Sequence, residues 1–150
     1  MRVVLQRVSQ ASVRLPDGSP PREARRIGPG ILVLVGFTSG DGEDALVWMA
    51  GKIADLRIFP GEEAAMDRSL RETGGGLLLV SQFTLYADAR KGRRPDFTAA
   101  APYAEAERLF ERLREAFEAE LPGRVACGLF GAKMEVALVN DGPVMLVLDR

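Results

Sequence analysis

The segment from Ser81 to Thr84 gathers side chains that could do chemistry, directly after the apolar run LLLV. Ser81, Gln82, Phe83 and Thr84 supply two hydroxyls, an amide and an aromatic ring. The Thr84 hydroxyl could attack an ester or amide if a base removed its proton. The backbone N–H of Thr84 could instead stabilise an oxyanion. Alternatively, the Thr84 hydroxyl could only hydrogen-bond a neighbouring group of the strand and have no part in catalysis. The residues alone leave these three interpretations open.

The chain contains no histidine and a single cysteine, Cys127. These counts exclude a Ser-His-Asp triad, a Cys-His pair, an HExxH zinc site, thiolate metal clusters and an internal disulfide. No group of Asp and Glu residues has the spacing of a calcium loop. We therefore expect no metal and no cofactor. Protons must be moved by carboxylates, lysine, tyrosine or groups of the substrate, and Asp88 and Lys91 are the candidates nearest to Thr84.

A basic segment follows these polar residues on a chain whose net charge is −1 and whose pI is near 5.6. Arg90, Lys91, Arg93 and Arg94 lie within five residues. A local basic patch on a nearly neutral protein suits a limited contact with phosphates rather than long-range attraction of nucleic acid. The alternative is an exposed loop whose charges are only solvated.

Alternating apolar and turn-forming residues predict the elements that would position these groups. Leu46, Met49, Ala50 and Ile53 form the apolar stripe of a first helix, and Ala106, Leu109, Phe110, Leu113 and Phe117 that of a second helix. We predict strands at 3–13, 31–37, 77–85, 124–130, 133–139 and 143–149, helices at 41–56 and 102–121, a loop at 15–26 and a polar connection at 61–76 in which Met66 and Leu70 reach the core.

This order predicts one compact domain, residues 1–150, of the mixed α/β (α+β) class, with one sheet system and two main helices. Arg7 lies on the face of the first strand that also carries Val3 and Leu5. An arginine on an apolar face needs a carbonyl or carboxylate partner. The chain has no apolar run that approaches a membrane span and no apolar segment of signal-peptide length near Met1, so we expect a soluble cytoplasmic protein that does not contact membranes.

Four segments together resemble the D-aminoacyl-tRNA deacylase (D-tyrosyl-tRNA deacylase) family. They are MRVVLQRVSQASV at the start, VSQFTLYADARKGRRPDFTAAAP in the centre, GLFGAKMEVALVNDGPV near the end and the terminal LVLDR. The resemblance implies a homodimer with a small β-barrel-like fold and active sites at the subunit interface. It implies hydrolysis of the ester between a D-amino acid, or mischarged glycine, and the 3′-terminal adenosine of tRNA.

The resemblance also assigns roles to particular residues. It implies a catalytic segment of Ser81, Gln82 and Thr84, and a cis Gly142-Pro143 pair that enters the partner subunit's pocket and rejects L-aminoacyl groups by collision. Without the resemblance, Asn140-Asp141-Gly142-Pro143 would be interpreted as a plain hairpin turn. The other expected substrate contacts are Phe83, Phe130, Gly131, Met134 and Ala106, with Arg7 bracing the turn and Arg90, Lys91, Arg93 and Arg94 on tRNA phosphates. For Phe83 we favour packing beneath its strand over contact with the substrate, and Phe130, Met134 and Ala106 are alternatively core residues.

Proton transfer without histidine has one further source, the free 2′-hydroxyl of the terminal ribose, which lies beside the ester. We favour this substrate group over attack by the Thr84 side chain. The turn departs from the family pattern GPVT because Met145 replaces the threonine. There are two alternatives to this function: an RNA-binding module without activity, and an esterase that uses Thr84 and needs no tRNA.

Overall fold

The computed structural model describes residues 1–15 and 25–150 of the chain. Two long helices and one sheet dominate it, which confirms the mixed α/β class with its two main helices. The strands are β1 (Arg2–Arg14), β2 (Arg25–Ile27), β3 (Gly30–Gly36), β4 (Gly76–Ser81), β5 (Val125–Cys127) and β6 (Glu135–Asp149). The helices are α1 (Glu43–Asp55), α2 (Leu70–Thr73) and α3 (Tyr103–Glu120), with a 3₁₀ helix at Phe83–Tyr86.

Strand β1 organises the sheet because it pairs with three other strands. Its first half runs antiparallel to β3 and its last residues antiparallel to β2, while β6 lies antiparallel along its other edge. Strand β4 continues the sheet parallel to β3, and β5 is parallel to β4. The carboxyl ends of β3 and β4 therefore meet at one edge of the sheet.

The sheet buries apolar side chains on both faces. Successive residues of β3 and β4 alternate between two cores: Ile31 and Leu77 belong to the larger core, shared with α1 and α3, and Leu32 and Leu78 to a smaller one. The smaller core is covered by Ile27 of β2 and by residues of the β5–β6 region rather than by a helix. A sheet whose second face is covered by its own outer strands is barrel-like, as predicted.

The end of the chain differs from the prediction of three strands. Strand β5 is short, and the two predicted strands that follow it form one strand, β6. Asn140 pairs with Val8 and Met145 pairs with Gln6, so both flanks of the 140–143 turn pair with β1 and not with each other. The alternative interpretation of 140–143 as a plain hairpin turn is wrong: the segment 141–144 is an excursion from a continuous strand, opposite Arg7.

Three local predictions also change. The predicted strand at 77–85 ends at Ser81 and continues as the 3₁₀ helix: the Gln82 N–H makes the last contact with β3, at the Val35 carbonyl (2.7 Å), and the Gln82 carbonyl then accepts the first helical bond from the Leu85 N–H. The connection at 61–76 contains α2, whose N-terminal Ser69 forms a capping box with Glu72. Leu70 is buried as predicted, but Met66 is exposed. Within the predicted loop at 15–26, residues 16–24 lie outside the described residues and Arg25 and Arg26 belong to β2.

Over residues 1–15 and 25–150, none of the helices combines the length and the apolar character needed to cross a bilayer. The same residues contain no group of three or more Asp, Glu, Cys or His side chains placed to hold a metal ion.

Candidate active site

A cavity of about 530 Å³ lies at the carboxyl ends of β3 and β4. Because these strands are parallel, Val35 to Phe37 and Val80 to Gln82 leave the sheet side by side and form one wall. The first turns of α3 and the segment between β5 and β6 form the others. The remaining lining residues are Phe83, Phe97, Ala100, Ala101, Tyr103, Ala106, Phe130, Gly131, Ala132, Met134 and Val136.

The cavity brings together seven of the residues predicted from the sequence. Ser81, Gln82 and Phe83 line it from the end of β4, Ala106 from α3, and Phe130, Gly131 and Met134 from the opposite wall. Thr84, Arg7, Gly142, Pro143 and the four basic residues at 90–94 are not among the lining residues of this single chain.

A glycine at position 36 allows the wall at Gln82 to form. A Cβ atom there would lie 2.9 Å from the Gln82 carbonyl oxygen and 3.1 Å from the Leu85 Cβ. The Gln82 N–H is held by the Val35 carbonyl at 2.7 Å. The backbone that carries the polar residues therefore packs directly against the end of β3, which fixes its position.

Thr84 lies on the exposed 3₁₀ helix just outside this wall. Its hydroxyl accepts a hydrogen bond from the Gln82 side-chain amide. An amide cannot remove a proton from the hydroxyl, so this contact does not activate Thr84 as a nucleophile. The first bond of the helix runs from the Leu85 N–H to the Gln82 carbonyl (3.2 Å), which leaves the N–H groups of Phe83 and Thr84 outside the helical hydrogen-bond ladder.

The wall opposite Gln82 is aromatic and apolar. Phe130 contacts Tyr103 edge-to-face, with 5.2 Å between ring centroids, and packs against Phe110 of the core at 5.5 Å. The Leu129 N–H points to the Met134 sulfur at 3.2 Å, which fixes that side chain in the wall. Flat and polarisable surfaces of this kind suit a planar aromatic ligand.

A second aromatic pair stands at the rim. Phe83 and Phe97 meet edge-to-face at 5.1 Å, and Phe83 is 58% exposed. The interpretation that Phe83 packs beneath its strand is therefore wrong. Phe97 and Tyr103 were not predicted as site residues. For Phe97, the sequence offered one indication of a site, its position directly after a highly charged loop. For Tyr103, the sequence indicated nothing more than the start of a helix.

The cavity is electrically neutral. Among the described residues that line it there is no Asp, Glu, Lys, Arg or Cys, and Tyr103 carries its one titratable side chain. None of these lining side chains can therefore serve as a general base near neutral pH. Outside the cavity, burial raises the pKa of Tyr86 and raises the pKa of Cys127 to about 11.

The two candidate bases that the sequence offered also lie outside the lining. The Asp88 carboxylate accepts both guanidinium contacts of Arg90, at 2.9 and 2.6 Å, and these bonds lower the pKa of Asp88. Asp88 and Asp96 exchange backbone hydrogen bonds of 2.8 and 2.9 Å, which close residues 88–96 into a basic loop. The loop holds Arg90, Lys91, Arg93 and Arg94 in exposed positions.

Arg7 joins three parts of the chain beneath the 141–144 excursion. Its Nε donates to the Asp141 carbonyl at 3.0 Å, and its Nη1 donates to the Ile58 carbonyl. Asn140 donates in turn to the Arg7 carbonyl at 3.1 Å. The Gly142-Pro143 bond in this excursion is cis. Both residues are exposed at the surface of the single chain.

A comparison with protein-family models decides the family. The model described as D-Tyr-tRNA(Tyr) deacylase matches residues 4–149. The chain belongs to this family. The match spans the cavity, the basic loop and the 141–144 excursion, so all parts of the candidate site lie within the family's own domain.

Individual relatives agree with this assignment. A D-aminoacyl-tRNA deacylase of Nitratidesulfovibrio vulgaris (strain DP4) is 54% identical over 99% of this chain and 93% of its own length. One of Chlorobium phaeobacteroides is 50% identical over 99% of this chain and 97% of its own length. Among solved structures, a c-Myc DNA unwinding element binding protein has a TM-score of 0.90 at 36% identity and covers 100% of this chain and 99% of its own. A probable eukaryotic D-amino acid tRNA deacylase has a TM-score of 0.83 at 20% identity over 99% and 98% of the two chains, which shows the shared fold.

Proposed function

We propose that this chain, as one catalytic domain of 150 residues, hydrolyses the ester bond of D-aminoacyl-tRNA and of glycine mischarged on tRNA. The observation that carries the proposal is the family match over residues 4–149, within which a neutral cavity adjoins a basic loop. Such a cavity suits an aminoacyl-adenosine, and the loop suits the phosphates that precede it. Because its substrate exists where proteins are synthesised, we place the protein in the cytoplasm.

The neutral lining supports proton transfer by the substrate. Since the described residues that line the cavity include no carboxylate, lysine or histidine, the 2′-hydroxyl of the terminal ribose is the nearest group that could orient a water or relay its proton. The partner of the Thr84 hydroxyl among the described residues is the Gln82 amide, which is not a base. We therefore assign the catalytic role of Thr84 to its backbone.

The backbone N–H groups of Phe83 and Thr84 support an oxyanion role. They precede the first internal bond of the 3₁₀ helix and adjoin the cavity wall. A donor aimed at the developing oxyanion contributes about 2.7–4 kcal/mol to the rate in comparable sites. Ser81 and Gln82, on the adjoining wall, would hydrogen-bond the ribose or the aminoacyl carbonyl.

We assign chiral selection to a second copy of the chain. Within the described part of the chain, β6 pairs with β1 and with no other strand, and its exposed apolar side chains include Leu138, Val139, Met145 and Val147. An unpaired edge with apolar side chains is typical of a surface that another chain covers. In a homodimer, the excursion that Arg7 braces would bring Gly142 and Pro143 to the partner's cavity, where main-chain carbonyls could hold the α-ammonium group.

Selection then depends on collision. With the α-ammonium held by the turn, a D-side chain points to open space, whereas an L-side chain strikes the turn. Glycine has no side chain to collide and is accepted. Phe130, Gly131, Met134 and Ala106 would enclose the adenine, and the basic loop would contact phosphates of the acceptor end without reading their sequence.

The activity is tested with tRNA charged in parallel with a D- and an L-amino acid. We expect purified protein to release the D-amino acid rapidly and the L-amino acid at the uncatalysed rate. Equal rates for both enantiomers would contradict chiral selection, and binding without release would favour an inactive RNA-binding module.

The role of Thr84 is tested with Thr84→Val, which keeps the backbone N–H and the side-chain shape. We expect its rate constant for D-aminoacyl-tRNA to stay within about tenfold of wild type, whereas loss of a nucleophile costs several orders of magnitude. Thr73→Val is the matched control, because it makes the same substitution in α2, where the Thr73 hydroxyl donates to the Leu70 carbonyl outside the cavity lining. A collapse of activity in Thr84→Val alone would return the role to the hydroxyl.

A further inference from the structure

Tyr103 contributes a polar group to the otherwise apolar wall of the cavity. It is the first residue of α3, it is 61% exposed, and its ring meets Phe130 at 5.2 Å with an interplanar angle of 70°. Its neighbours in this wall, Ala106, Phe130 and Met134, have no polar side-chain group other than a thioether sulfur.

The Tyr103 hydroxyl has a defined position. It lies over Gly131, whose φ of +71° favours glycine and where an added Cβ atom would collide with the hydroxyl. Over the described residues, this hydroxyl takes part in no hydrogen bond with another protein group. A phenolic hydroxyl can both donate and accept, so it is available to a ligand that enters the cavity.

A purine base needs more than flat surfaces. Its ring nitrogens accept hydrogen bonds and the exocyclic amino group of adenine donates them, and burying these groups without partners is costly. We infer that the Tyr103 hydroxyl positions the terminal adenosine by hydrogen-bonding the edge of its base while Phe130 and Met134 contact the base face. This inference rests on the proposed function, and it assigns Tyr103 as a residue that determines base specificity.

The first test measures adenosine binding by calorimetry to the wild-type protein and to Tyr103→Phe, which keeps the ring and removes the hydroxyl. We expect the dissociation constant to rise about threefold to tenfold, the range for loss of one hydrogen bond. The matched control is Tyr86→Phe, because Tyr86 is the other tyrosine and its ring lies beside Arg2 outside the cavity lining. An unchanged dissociation constant in Tyr103→Phe would overturn the inference.

The second test separates the hydroxyl from the ring. With purine riboside, 1-deazaadenosine, 3-deazaadenosine and 7-deazaadenosine, the analogue that lacks the contacted edge group should bind wild type more weakly than adenosine does. Tyr103→Phe should bind that analogue and adenosine with equal affinity, because the variant lacks the hydroxyl that tells them apart. If no analogue shows this coupling, or if only Tyr103→Ala weakens binding, then the residue is a wall and not a hydrogen-bonding group.

Turnover gives a third readout. Loss of an interaction that is made equally in the ground and transition states raises KM and leaves kcat unchanged. We expect this pattern for Tyr103→Phe with D-aminoacyl-tRNA, and a fall in kcat at unchanged KM would contradict a positioning role. If the wild-type protein deacylates D-aminoacyl-tRNA and Tyr103→Phe behaves identically, this inference alone is refuted. If the wild-type protein does not deacylate D-aminoacyl-tRNA, the proposed function is refuted.

Discussion

The arginine beneath the 141–144 excursion provides a stability prediction with a calculable size. Arg7 is 8% exposed, and its guanidinium contacts two main-chain carbonyls in different directions, those of Asp141 and Ile58. In Arg7→Lys a single ammonium group keeps the charge but cannot reach both. At least one carbonyl loses a charge-assisted hydrogen bond, which costs about 1–3 kcal/mol. The Asp141 carboxylate, 49% exposed, adds little to this cost.

A loss of about 2 kcal/mol lowers Tm by roughly 4–8 °C in a protein of this size. The assay is thermal unfolding followed by circular dichroism at one fixed protein concentration, since self-association would make Tm depend on concentration. Arg14→Lys is the control, because Arg14 lies on the same strand and pairs with Glu135 of β6, but its side chain is 74% exposed. We expect a change under about 0.5 kcal/mol for the control. Equal shifts in the two variants would refute the reasoning.

Two further predictions concern charge and protonation. Lys91→Ala should reduce the slope of log binding constant against log salt concentration for tRNA by about one unit. Arg90→Ala should reduce this slope less, because Asp88 already pairs with Arg90. Equal slopes for the two variants would contradict this order. Burial raises the pKa of Cys127 from 9.0 to about 11. Alkylation of the folded protein by iodoacetamide should therefore be slow at pH 8 and speed up until about pH 11, whereas the protein unfolded in guanidinium should react with a pKa near 9. Because the folded state holds this proton more tightly, Cys127 should make the protein less stable as pH rises from 9.0 to about 11, and Cys127→Ala should remove that part of the loss.

The sequence predicted the long elements well because their signals are local. The stripes of α1 and α3 repeat with helical spacing, and the run at 31–37 is apolar enough for a strand buried on both faces. Strand β6 was divided wrongly because Asn-Asp-Gly-Pro signals a turn but does not say whether its flanks pair with each other. Both flanks pair with β1, and that depends on a distant strand.

The candidate site was only partly visible for the same reason. Ser81, Gln82, Phe130 and Met134 belong to segments that resemble the family, and the structure brings them to one cavity. The contribution of Tyr103 arises from contact with Phe130 and Gly131, which are distant in sequence and meet only in the fold. No pattern around Tyr103 marks such a contact.

The central claim is that a cavity whose described lining residues carry no charge leaves proton transfer to the RNA. The most direct measurement compares single-turnover hydrolysis of D-aminoacyl-tRNA whose terminal nucleoside is adenosine or 2′-deoxyadenosine, each esterified at the 3′ position. General acid–base groups contribute about 10²–10⁴-fold to rates, so we predict that the 2′-deoxy substrate reacts at least about 100-fold more slowly while binding with similar affinity. Equal rate constants for the two substrates would contradict the account and would require a base supplied by the protein.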